Sequence, residues 1–181
     1  MTTYAKLIDD AIIILERVPR VINSTKQQWT AYAAAGGYKA LRCTERPGQY
    51  YTAGYKESAK LITETWTPWE LPAAKADALQ RVQDQLDARL SARATVPCVG
   101  IPTDIIYDPA ALTNALGLEP GDVFIDAADN LHTLTEELIL NIRSALKNYR
   151  MGLYAAATDF RRRIAVAENV DAVEEVVSSL F

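Results

Sequence analysis

One histidine, two cysteines and no lysine or arginine between Arg93 and Arg143 are the scarcities that bound this 181-residue chain. With His132 as the only histidine, an HExxH metal helix or a multi-histidine ligand set is excluded, and a Ser-His-Asp or Cys-His relay could be built only around that residue. His132 sits where a long C-terminal helix is expected to start. The helix dipole there disfavours an imidazolium, so a surface or capping role is expected. Cys43 and Cys98 form no CxxC and read as two buried apolar thiols, not a zinc site or disulfide framework. GxGxxG, GxxxxGKS/T and GxSxG are absent too. No catalytic residue, cofactor or metal is therefore expected.

Long apolar runs are also missing. No stretch of about 18 apolar residues could span a bilayer. Lys6, Asp9 and Asp10 precede the short run Ala11 to Leu15, unlike the basic start and long apolar stretch of a secretory signal. No membrane partner is expected, and the location expected is the cytoplasm, or the virion if the source is viral. What the chain does have is ordinary globular composition, with 49% hydrophobic and 23% charged residues, so it should bury a core.

The pattern predicts a mainly all-α fold: one elongated helical domain over 1–181, with an acidic, Pro/Gly-containing connector at about 94–130. Leu7, Ala11, Ile14 and Val18 fall at helical spacing over 3–18, and Pro19 would end that helix. A second helix is expected over 20–35, closed by Gly36 and Gly37. Residues 38–52, around Glu45-Arg46-Pro47-Gly48, suit a short β-hairpin or an ordered loop. Tyr55, Ala59, Ile62 and Trp66 return to helical spacing over 53–66. Ala76, Leu79, Val82, Leu86 and Leu90 mark another helix over 72–93. The connector would hold a short helix near 109–117 and a strand at 123–125. A long helix over about 133–168 carries the clearest signal. Thr133 and Glu136 suit a capping box, and the stripe Leu134, Leu138, Ile142, Ala145, Tyr149, Leu153, Ala156, Phe160, Ile164 and Ala167 keeps a 3.6-residue period. Asn169 would break it before a last short helix.

Charge is polarised along the chain. Residues 1–60 carry nine basic against five acidic groups, whereas residues 94–142 carry eight acidic groups and no basic one. Asp104, Asp108, Asp122, Asp126 and Asp129 lie in the connector. Asp122, Asp126 and Asp129 would share a face if helical, but the EF-hand order of ligands is missing, so a solvated acidic face or a protein-contact surface is preferred to a cation site. Tyr50, Tyr51, Tyr55, Trp66 and Trp69, among Arg42, Arg46 and Lys56, have the composition of an interface hot spot, although an aromatic mini-core is the plainer reading. Arg161, Arg162 and Arg163 form the only basic run. Successive helical residues point about 100° apart, and the chain is acidic overall, so nucleic acid is an unlikely partner.

These features together point to a non-enzymatic assembly subunit that packs with copies of itself or with other subunits. By architectural analogy such a chain has the style of a helical connector or neck component of a tailed-virus particle. The alternatives are a small regulatory module binding a protein or nucleic acid, and an all-α enzyme without a local motif.

Overall fold

A computed structural model describes residues 3–9, 11–15 and 26–180. The fold is mixed α/β, with 45% helix and 25% strand, which overturns the mainly all-α expectation. Two compact units divide at Glu70 and Leu71.

The first unit, Met1–Glu70, is built on a five-stranded mixed sheet of order β2-β1-β3-β5-β4. Residues read as one helix over 3–18 instead form strands β1 (Thr3–Ile8) and β2 (Ala11–Ile14), paired antiparallel with Ile8 opposite Ala11. The reason lies in the β-branched run Ile12-Ile13-Ile14 and in Asp9, whose φ of 48° suits a two-residue turn that few side chains other than Asn, Asp and Gly accept. Val18 and the Pro19 stop lie outside the described residues. Helix α1 (Lys26–Ala35) is the described part of the helix expected over 20–35, and it ends at the glycine pair, where Gly37 adopts φ 74°. Strand β3 (Lys39–Arg42) follows, paired antiparallel with β1 and parallel with the later β5.

The helix expected over 53–66 is instead a hairpin of β4 (Tyr51–Glu57) and β5 (Leu61–Pro68). Spacings of three and four among Tyr55, Ala59, Ile62 and Trp66 fit a helix. The alternating Thr63, Thr65 and Thr67 and the flanking aromatics fit a strand, and they prevail. Ser58 tightens the turn, its Oγ accepting the Leu61 N–H at 3.2 Å. The hairpin thus lies over 51–68, later than the 38–52 expected.

The second unit, Leu71–Phe181, is dominated by helices. Helix α2 (Leu71–Ser91) packs along the long α4 and the last helix α5. Its buried line is Ala74, Ala78, Val82 and Leu86, so Ala76 and Leu79 of the expected face are exposed. A small antiparallel pair, β6 (Ala94–Val96) and β7 (Ile105–Tyr107), leads to α3 (Ala111–Leu116). A second pair, β8 (Val123–Ile125) and β9 (Leu131–Thr133), precedes α4 (Glu136–Val166). Thr133 belongs to β9, so the helix is capped by Thr135, whose Oγ1 accepts the Leu138 N–H at 3.2 Å, and not by the expected Thr133–Glu136 box. Glu136 and Glu137 then place negative charge at the positive end of the dipole. Asn169 ends the long segment by capping α5 (Val170–Ser178), accepting the Ala172 N–H at 2.9 Å.

Buried residues of this unit line α2 and α5 (Ala74, Ala78, Val82, Leu86, Val170, Val173 and Val176) and also form a separate cluster. Val96, Cys98, Ile101, Ile105, Tyr107, Ala115, Leu134, Ile139, Ile142 and Leu146 are buried together. The deepest line on α4 is Ile139, Ile142, Leu146, Ala157 and Ile164, and every residue of the expected stripe is buried or half-buried beside it. Cys98 is in this core and burial pushes its thiol pKa up, whereas Cys43 is exposed, contrary to the reading of both as buried.

Candidate functional site

The acidic connector is organised by one side chain. Asp126, just after β8, is 1% exposed and is the only buried charged residue among those described. Its Oδ1 accepts the backbone N–H of Ala128 at 2.8 Å and of Asn130 at 2.9 Å. Its Oδ2 meets Asn130 Nδ2 at 3.0 Å, His132 Nε2 at 2.7 Å and the Thr103 hydroxyl. Burial alone would raise the carboxyl pKa, but the hydrogen bonds from Thr103, His132 and Asn130 outweigh it and hold the group well below the usual carboxylate range. Asp129 closes the same loop with φ 62°.

His132 is therefore on β9, before the long helix and not at its start. A His–Asp pair is the base half of a relay, but no hydroxyl or thiol among the described residues is hydrogen-bonded to this imidazole, and Thr103 bonds to the carboxylate instead. What the network does is fix the β8–β9 hairpin. Phe124 and His132 are paired across the strands on the inner face, with Phe124 packed against the core. The outer face then holds Val123, Ile125 and Leu131 in water, at 61%, 56% and 71% exposure, with Ile125 directly opposite Leu131. This aliphatic face had no clear signature in the sequence, because the strands are only three residues each. The signal available was the short apolar, β-prone run Val123-Phe124-Ile125, which marks a strand but not which of its faces is covered.

The five acidic candidates do not form one free face. Asp108 accepts the Ala110 N–H at 2.9 Å and Asp122 the Glu119 N–H at 2.8 Å, so with Asp126 three of them organise their own loops. Asp122, Asp126 and Asp129 do not share a helix face either, since β8 separates the first two. No group of three His, Cys, Asp or Glu side chains among the described residues is arranged to hold a metal ion.

The aromatic candidates lie in the first unit. Strand register puts Tyr51, Tyr55 and Trp66 on one face of the β4–β5 hairpin and Lys56 on the other. Arg46 lies over the Trp66 ring at 5.8 Å and donates to the Tyr51 carbonyl at 3.0 Å. Tyr50 is buried and meets Trp69 edge-on at 5.5 Å, while Trp69 Nε1 donates to Thr52 Oγ1 at 3.1 Å. Arg42 is exposed on β3. Of this group Tyr50 alone is fully buried, and the others are half-buried or exposed.

Two clefts flank α3. One, of about 480 Å³, is lined by Ala111, Asn114, Ala115, Leu118 and hairpin residues Phe124 and Ile125, with Ile142 and Leu146 as floor. The other, of about 460 Å³, is lined by Leu112 and Leu116 of α3 and by Arg143, Lys147, Arg150, Met151 and Tyr154 of α4. Arg143 is held there, donating to the carbonyls of Ala115 at 2.8 Å and Leu116 at 3.0 Å at the end of α3. Arg150 lies over Tyr154 at 5.8 Å. The basic run is internally engaged: Arg161 donates to Gln83 at 2.6 Å, Arg162 pairs with Asp159 at 2.8 Å, and Arg163 lies over Phe160. No helix of the described residues is long and apolar enough to cross a membrane.

The chain matches no protein-family model, no curated protein and no solved structure.

Proposed function

We propose that this chain is a non-enzymatic assembly subunit that packs against copies of itself. The observation that carries the reading is the outer face of the β8–β9 hairpin, where Val123, Ile125 and Leu131 are held in water by a buried, fully hydrogen-bonded carboxylate. Exposed aliphatic groups scattered singly are ordinary. Three on adjacent positions of a pinned hairpin are the kind of patch that association covers. A two-stranded hairpin has little stability of its own, so so many hydrogen bonds on Asp126 serve to keep that face in one geometry.

The acidic surroundings favour the same reading. Glu119, Asp122 and Asp129 are exposed around the aliphatic face, and such charges orient an encounter while apolar burial supplies affinity. The likeness to helical neck subunits depended on an all-helical chain and is not carried forward. Size-exclusion chromatography with light scattering on the whole chain tests the proposal. A mass above the monomer's that rises with concentration is expected, and a monomer at every concentration would refute it.

A further inference from the structure

We propose that the occupant of the basic cleft between α3 and α4 is the β8–β9 hairpin of a second copy, so that subunits join head to tail. The inference rests on the assembly reading above and specifies which two surfaces meet. Each surface supplies what the other lacks. The hairpin offers Val123, Ile125 and Leu131 among Glu119, Asp122 and Asp129, in a segment without a single lysine or arginine. The cleft offers exposed Leu116 and Met151 with Leu112 and Tyr154, and around them Arg143, Lys147 and Arg150.

The three cations recur at steps of four and three along α4, so they share one side of the helix, next to the apolar floor. The exposed Lys147 side chain makes no hydrogen bond or ion pair among the described residues. Arg143 is already positioned by the α3 carbonyls, so little side-chain freedom is lost when an acidic group docks beside it.

Geometry excludes the same copy's hairpin as the occupant. Ile125 lines the other cleft, which α3 borders with Ala111, Asn114 and Ala115, whereas Leu112 and Leu116 turn to the basic side. The hairpin and the basic cleft therefore lie on different sides of α3. Two different patches on one chain that match each other make a heterologous contact, which closes into a ring or continues as a filament.

Mixing two variants tests this. Val123→Asp/Leu131→Asp removes the hairpin face and keeps the cleft; Leu116→Asp/Lys147→Glu removes the cleft and keeps the hairpin. All four positions are exposed, and unchanged circular dichroism and melting temperature establish that each variant folds. If either pair costs the fold, Ile125→Ser and Lys147→Ala replace it. In light scattering the wild type is expected to associate, each variant alone to be at least tenfold weaker, and an equimolar mixture to stop at twice the monomer mass. A cleft variant that associates like the wild type, or a mixture that stays monomeric, overturns the head-to-tail contact while the assembly reading stands. A monomeric wild type removes both.

Discussion

Ten buried side chains converge on one core in residues 71–181, whereas buried apolar side chains among the described residues up to Glu70 are Tyr4, Ala5, Ala33, Tyr50 and Ile62. The second unit is organised by side-chain packing of long helices, and the described part of the first by backbone pairing in a sheet. The contrast teaches where a substitution should hurt. In the second unit damage follows burial, and in the first it follows strand register and the few residues that are covered.

Ile142→Asp should have the largest effect. It places an unpaired charge on a fully buried site and should cost about 3–5 kcal/mol or more in urea unfolding. Ile62→Ala, on a covered strand of the first unit, should cost about 2–3 kcal/mol, near the low end for such truncations. An equal or reversed order would break the contrast.

Asp126→Asn sharpens it within the second unit. An amide offers one acceptor where the carboxylate serves several donors, so the variant should melt several degrees lower at neutral pH. The folded-state pKa of Asp126 is depressed below the ordinary carboxylate value of about 4. Its contribution is therefore complete above about pH 4 and lost as pH falls below that. The gap between wild type and variant should narrow on acidification, in thermal melts between about pH 7 and pH 2. A gap that stays constant would mean that the carboxylate's charge does not matter. Thr135→Ala should cost about 1 kcal/mol, as for other helix caps, and Thr133→Ala clearly less.

The same contrast explains what could be read from the residues alone. Helices of 21 and 31 residues repeat their apolar spacing over many turns, so α2 and α4 are visible in the sequence, with errors of one or two positions in the buried line. Over 3–15 and 51–68 the segments are short, and apolar residues three or four apart fit either period. β-branched isoleucines and threonines, and the positive φ of Asp9, decide for strands there. Asp126 could be listed from the sequence as one of an acidic group. Its burial could not, because Thr103 and His132 reach it only through loop closure. The candidate aliphatic face was hidden for the same reason: three-residue strands reveal their outer side only once the inner one is packed.

The most direct test of the central claim is sedimentation velocity of the whole chain across a wide concentration range, at about 50 mM and 500 mM salt. The account predicts a sedimentation coefficient that rises with concentration, more steeply at low salt, where charges about 10 Å apart are less screened. It also predicts that the rise is lost in Val123→Asp/Leu131→Asp at unchanged melting temperature. A single boundary at the monomer value under all these conditions would contradict it.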